Sequence, residues 1–244
     1  MVVIYDIITI KGWSPIFATQ FWKKQVFVMQ NKLDLSVYVI TDRQLARGRS
    51  HSKVAIEAIA GGATCIQLRE KDPSVTTREL FDMAAELRVL TKEKGVALII
   101  NDRLDIALAV GADGVHLGQD DLPLGRARRF LPPGMILGAS AGDPRQARKA
   151  QAEGASYLGA GAIFGTTTKA DAGKPIGPTG LAAVCRSVEI PVVGIGGIDA
   201  GNAPAVIAAG AAGVAVISSV VGAKDIAAAT KKIALAVNAA LVSR

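Results

Sequence analysis

Histidine and cysteine are nearly absent from this chain, with two of each in 244 residues. Cys65 and Cys185 lie far apart in apolar stretches. That excludes the paired spacings of zinc ribbons, redox motifs and disulfide frameworks. Both read as buried thiols of a reducing compartment, so the expected location is cytoplasmic. His51 and His116 are too few for a histidine-built metal site, and His116, inside an apolar strand, reads as structural. No run of about 18 uncharged apolar residues occurs, so no membrane-spanning helix is expected. Aromatic residues make up only 5% of the chain, and the lysines and arginines behind its +7 charge are scattered along it. A basic chain of this kind suits small anionic ligands rather than a nucleic acid.

Half of the residues are hydrophobic, enough for a large core. The length fits two ordinary domains or one α/β barrel of about 250 residues. Residues 1–34 stand apart: they carry more than half of the aromatics, including Trp13, Phe17, Phe21 and Trp22, and show no clean period. Asp6 interrupts the early apolar stretch and no basic segment precedes it, unlike a secretory signal. This segment is expected to be an appended or mis-started extension, with an amphipathic extension packed on the barrel or a partner as the alternative. The functional domain is expected at residues 35–244.

The rest of the chain repeats a phrase of helix, Gly-Ala, then strand. Gly62-Ala63, Gly111-Ala112, Gly154-Ala155 and Gly210-Ala211 are separated by 49, 43 and 56 residues, each the length of two βα units. A glycine ending each amphipathic run suits a left-handed helix terminus. Four further apolar strands lie between, beginning near Val37, Val96, Met135 and Pro191. Eight near-continuously hydrophobic strands alternating with helices predict a closed parallel (β/α)₈ TIM barrel rather than an open sheet. No G-x-G-x-x-G opens the first unit, which counts against a dinucleotide-binding domain. In such a barrel all strand C-termini share one mouth, so the polar clusters after the strands converge.

Gln67-Leu68-Arg69-Glu70-Lys71 closes the second strand. Alternation places Gln67, Arg69 and Lys71 on one side and Leu68 and Glu70 on the other. Two cations and an amide aimed together suit an anion, or else a solvated loop. Asn101-Asp102 follows strand three and His116-Leu117-Gly118-Gln119-Asp120-Asp121 follows strand four. Asp102 and Asp121 are either ligands of a hard cation such as Mg²⁺ or helix caps. Ser140 ends strand five, able to donate to a phosphate or to cap a turn. Gly165-Thr166-Thr167-Thr168-Lys169 after strand six offers hydroxyls and an ammonium to an anion, or is a mobile polar loop. Gly194-Ile195-Gly196-Gly197-Ile198 and Ile217-Ser218 follow strands seven and eight, where barrels of this type bind phosphate through backbone N–H groups.

These motifs, in this order across residues 37–244, resemble the thiamine phosphate synthase family. Tyr-x-Ile-Thr-Asp at 38–42, Gln-Leu-Arg-Glu-Lys at 67–71, Asn-Asp at 101–102, His-Leu-Gly-Gln-x-Asp at 116–121, Thr-x-Thr-Lys at 166–169 and Gly-Ile-Gly-Gly-Ile at 194–198 carry the resemblance. It implies an enzyme that joins the diphosphate of 4-amino-5-hydroxymethyl-2-methylpyrimidine to a thiazole phosphate, or its carboxylated form, releasing pyrophosphate. It further implies that Gln67, Leu68, Arg69, Glu70, Lys71, Asn101, Ser140 and Lys169 surround the pyrimidine diphosphate. Of these, Arg69, Lys71, Ser140 and Lys169 would act on the departing pyrophosphate. Asp102 and Asp121 would ligate Mg²⁺. Thr166, Thr167, Thr168, Gly197, Ile217 and Ser218 would hold the thiazole phosphate. The implied partners are small molecules, with neither nucleic acid nor membrane; a homo-oligomer is compatible with the chain. A thiazole tautomerase of the same barrel is the nearest rival, but would not be expected to keep the diphosphate and Mg²⁺ set. A sugar-phosphate barrel enzyme would not explain Thr-x-Thr-Lys. A catalytically silent binding barrel is the third alternative. Gly165, where the family often has proline, changes only the expected loop stiffness.

Overall fold

The computed structural model describes residues 33–166 and 174–243. Eight short strands alternate with helices along it. The strands are β1 (Val37–Ile40), β2 (Cys65–Leu68), β3 (Ala97–Asn101), β4 (Gly114–Leu117), β5 (Ile136–Ala141), β6 (Tyr157–Gly161), β7 (Val192–Ile195) and β8 (Gly213–Val216). The helices are α1 (His51–Ala60), α2 (Thr77–Lys94), α3 (Leu104–Ala109), α4 (Leu124–Phe130), α5 (Pro144–Ala152), α6 (Gly177–Arg186), α7 (Ala203–Ala208), the single turn α8 (Ser218–Val221) and α9 (Ile226–Val242). The strands are all parallel and close in sequence order, with β8 pairing β1 through Val37–Val214, Tyr38–Ala215 and Val39–Val216. This is the (β/α)₈ barrel expected from the eightfold pattern.

The Gly-Ala phrase has a specific structural meaning. Gly62, Gly111, Gly154 and Gly210 hold φ of 101°, 61°, 93° and 106°, values that favour a residue without a Cβ. The alanine after each one does not yet belong to a strand. Its N–H reaches back to the helix it has just left: Ala63 to the Ala58 carbonyl and Ala112 to Ala107 at 3.0 Å, Ala155 to Ala150 at 3.0 Å, and Ala211 to Val206 at 3.4 Å. That bond satisfies one of the orphan carbonyls of the helix end. All four alanines are buried, and the strands start two residues later than the sequence pattern suggests.

Four of the helix starts are capped by side chains. Ser50 opens α1, Thr76 and Glu79 form a reciprocal capping box on α2, and Asp143 and Asp225 open α5 and α9. Each such cap contributes about 0.5–2 kcal/mol. Ile66, Leu98, Leu137 and Leu158 are wholly buried in the strands. The barrel interior is partly polar, and two glycines make room for that. A Cβ on Gly138 would lie 2.3 Å from the Tyr157 ring, and one on Gly159 would lie 3.3 Å from the His116 ring. The side chains missing on β5 and β6 thus become the space that the Tyr157 and His116 rings occupy.

Candidate active site

The C-terminal ends of β2, β3 and β4 gather the charge. Gln67 is buried, and its Nε2 donates to Tyr38 Oη at 2.6 Å. Arg69 is only 12% exposed, and its Nη1 forms a close ion pair with Asp42, itself 10% exposed. Lys71 Nζ donates to Asp102 Oδ2 at 2.5 Å. Leu68 is buried beneath this layer. Glu70 points the other way, as alternation requires: it accepts from the Asp72 N–H at 2.8 Å and lies 3.2 Å from His51 Nε2 and 3.5 Å from Arg43 Nε. Its carboxylate is thus engaged by neighbours of β1 and α1. Asn101 ends β3, half-buried.

Asp102 and Asp121 meet. Asp102 has φ of 61°, uncommon for a residue bearing a Cβ. Its N–H donates to the His116 carbonyl at 2.8 Å, tying the end of β3 to β4. Asp121 accepts from the Gly118 N–H at 2.7 Å. Neither acts as a helix cap: Arg103 and Pro123 occupy the N-cap positions of α3 and α4, without side-chain cap bonds. The two carboxyls are close enough for each to shift the other's protonation. Burial and then the Asp102 carboxyl raise Asp121 above the usual carboxylate range. Burial also disfavours the Asp102 anion, but the Lys71 ammonium and the Asp121 carboxyl outweigh it and hold Asp102 below that range. Adjacent carboxylates are an all-oxygen donor set which a divalent cation would neutralise. Among the described residues no group of three His, Cys, Asp or Glu side chains is placed to hold a metal, so further ligands would come from water or a substrate phosphate.

The ends of β4 to β8 border a cavity of about 470 Å³. Ser140, Thr166, Gly197, Ile217 and Ser218 line it, all expected from the sequence. Gly197 has φ of 64°, and a Cβ there would lie 2.6 Å from the Gly165 carbonyl oxygen, so the β7 turn packs directly on the β6 loop. Ser218 begins α8, where the first amides have no intrahelical acceptor. Two kinds of backbone N–H, from a glycine turn and from a helix start, therefore border one cavity. Thr167, Thr168 and Lys169 lie outside the described residues, as does the segment 1–32 of the expected extension.

Several contributors escaped sequence reasoning. Asp42 stands in the Tyr-x-Ile-Thr-Asp motif, whose spacing does not reveal it as the counter-charge of Arg69. Gln119 and Lys174 line the cavity, and Gln119 donates to the Ser140 carbonyl at 2.5 Å. The Tyr38–Tyr157 hydroxyl contact of 2.8 Å joins residues 119 positions apart, a pairing no local pattern announces.

A charged strand-end cluster, an all-oxygen carboxylate pair and a glycine-bordered cavity at one barrel mouth define a phosphate-handling (β/α)₈ enzyme. A family model described as thiamine monophosphate synthase matches residues 37–220. The chain is 53% identical over 197 residues to a thiamine-phosphate synthase of Moorella thermoacetica, covering 81% of this chain and 93% of that one. It is also 53% identical over 201 residues to one of Chloroflexus aurantiacus, covering 82% and 92%. A solved thiamine phosphate pyrophosphorylase from Pyrococcus furiosus superposes with a TM-score of 0.78 at 42% identity, covering 86% of this chain and 98% of that one. The chain belongs to the thiamine monophosphate synthase family.

Proposed function

We propose that this enzyme joins 4-amino-2-methyl-5-(diphosphooxymethyl)pyrimidine to 4-methyl-5-(2-phosphooxyethyl)thiazole, giving thiamine phosphate and pyrophosphate, or to its carboxylated form, which in addition releases carbon dioxide and takes up a proton. The observation that carries this reading is the division of the mouth. Arg69, Lys71 and the Asp102–Asp121 pair stand at the ends of β2–β4, and the glycine-bordered cavity extends from the loop after β4 round to β8. One half suits a diphosphate with its cation and the other a single phosphate.

The bond that breaks joins the pyrimidine methylene carbon to the diphosphate oxygen, and its electron pair leaves with pyrophosphate. The bond that forms joins that carbon to the thiazole nitrogen, which supplies its own lone pair. No proton has to be removed, so no general base is needed. Mg²⁺ held by Asp102 and Asp121 would supply electrostatic stabilisation of the leaving diphosphate. Arg69 and Lys71 act on the same charge, with Lys169 from the loop after β6 and the Ser140 hydroxyl as a hydrogen-bond donor. Asn101 and Gln67 orient the pyrimidine diphosphate, with Leu68 packing beneath and Glu70 bracing the loop. Thr166, Thr167, Thr168, Gly197, Ile217 and Ser218 hold the thiazole phosphate in line, which converts an encounter of two substrates into a near-unimolecular step. Residues 35–244 form the synthase unit and residues 1–34 are appended to it. The enzyme works in the cytoplasm.

Supplying both substrates with Mg²⁺ and measuring products tests the reading. Thiamine phosphate and pyrophosphate are expected in equal amounts. Failure to form either from the folded enzyme would overturn it.

A further inference from the structure

A continuous hydrogen-bonded chain crosses the barrel interior and ends in the cavity. Gln67 Nε2 on β2 donates to Tyr38 Oη on β1 at 2.6 Å. Tyr38 Oη lies 2.8 Å from Tyr157 Oη on β6. Tyr157 Oη lies 2.9 Å from His116 Nδ1 on β4, and His116 Nε2 lies 3.1 Å from Ser140 Oγ on β5. Five strands contribute one member each. Tyr38, Tyr157, Gln67 and His116 are buried, while Ser140 lines the cavity.

For a neutral imidazole and one proton per tyrosine hydroxyl, two continuous arrangements of the chain exist; any mixture makes Tyr157 accept twice and leaves its own buried proton with no acceptor in the chain. In one, every proton points from Gln67 toward Ser140. In the other, Ser140 gives its proton to His116 Nε2, His116 Nδ1–H donates to Tyr157, and Tyr157 donates to Tyr38. Tyr38 would then accept twice, from Gln67 and from Tyr157. Its own proton would be left for the neighbouring Cys65 sulfur, with which it also makes contact. Sulfur is a weak acceptor, so this second arrangement wastes a strong donor in a buried site. Burial also pushes both tyrosine hydroxyls well above their ordinary range, so both remain protonated donors.

We infer that Tyr38, Tyr157 and His116 are positioning residues that fix the Nε2–H tautomer of His116 and leave the Ser140 hydroxyl proton pointing into the cavity. Ser140 then meets an anionic substrate as a pre-oriented donor, instead of rotating away from the imidazole when the substrate arrives. Gly138 and Gly159 belong to the same device, since they vacate the space that the Tyr157 and His116 rings fill. The inference rests on the proposed placement of the diphosphate near Ser140, but the tautomer can be tested without any substrate.

The full chain labelled with ¹⁵N-histidine has two imidazoles, and comparison with His51→Gln assigns the other to His116. Nitrogen shifts and couplings should report Nε2–H for His116; an Nδ1–H tautomer overturns the inference. In the coupling assay, Tyr157→Phe should lower kcat/KM for the pyrimidine diphosphate about tenfold, the loss expected from one misdirected hydrogen bond. The KM for the thiazole phosphate should not change. In a Ser140→Ala background the same substitution should cost nothing further, because the chain acts only through Ser140. Independent, multiplying losses, or an unimpaired Tyr157→Phe, overturn the inference. If Tyr157→Phe does not fold, Tyr38→Phe carries the same cycle from the opposite wall. A wild-type enzyme without synthase activity would refute the proposed reaction and leave the tautomer measurement to decide this inference alone.

Discussion

Asp42 is the most informative single substitution, because it separates fold stability from ligand recognition. Its carboxylate pairs with Arg69 where both side chains are about one-tenth exposed, and its Oδ1 also accepts from the Leu45 N–H at 3.2 Å. Asp42→Ala leaves a buried guanidinium without its counter-charge. Breaking a buried pair from one side costs about 3–5 kcal/mol. For a chain of this size each kcal/mol lowers the melting temperature by about 2–4 °C, so a fall of about 6–20 °C is expected in calorimetry. The same reasoning gives a sign for ligand binding. An anion that meets Arg69 replaces the lost charge, so pyrophosphate with Mg²⁺ should raise the melting temperature of Asp42→Ala more than that of the wild type. Two results would refute the argument. One is a melting temperature within about 2 °C of wild type, which means the pair is solvated. The other is an equal pyrophosphate shift in both proteins, which means Arg69 does not face the anion.

Asp102→Ala and Asp121→Ala should each abolish turnover while circular dichroism stays unchanged, and chelator should silence the wild type; full activity in either variant would remove the carboxylates from the cation site. Lys169→Ala should lower kcat about a hundred- to a thousandfold, with a smaller effect on KM for the pyrimidine diphosphate, because a charge contact strengthened as pyrophosphate leaves acts on the transition state. Normal turnover at saturation would make Lys169 an anchor only. A chain beginning at Met29 should fold and keep its activity, since the motif order starts at about Val37; loss of soluble protein would assign residues 1–28 to the folded unit.

The barrel was legible in the chain because its signal is local and repeated. Gly62, Gly111, Gly154 and Gly210 mark helix ends by a backbone conformation that glycine adopts at least cost, and each is followed by a hydrophobic run. Strand starts were read two residues early, because the alanine after each glycine looks apolar but spends its N–H on the helix behind it. The mouth was legible for the same topological reason: parallel strands in a closed barrel bring every C-terminal end to one side. Ser140, Thr166, Gly197, Ile217 and Ser218 accordingly border one cavity.

Pairing was a different matter. Alternation separated Glu70 from Arg69, yet it could not say that Arg69 would meet Asp42, or that Glu70 would serve His51 and Arg43. Asp102 and Asp121 each read equally well as a cap or a ligand, and only the fold showed them beside each other with the cap positions held by other residues. The line from Gln67 to Ser140 depends on where five strands place their inward side chains, with Tyr38 and Tyr157 in contact across 119 residues. Residue type and spacing along one chain determine backbone conformation, because those preferences act over a few residues. Which charge meets which, and which hydroxyl keeps its proton, is decided by distances across the closed barrel, and there the tertiary structure alone has the say.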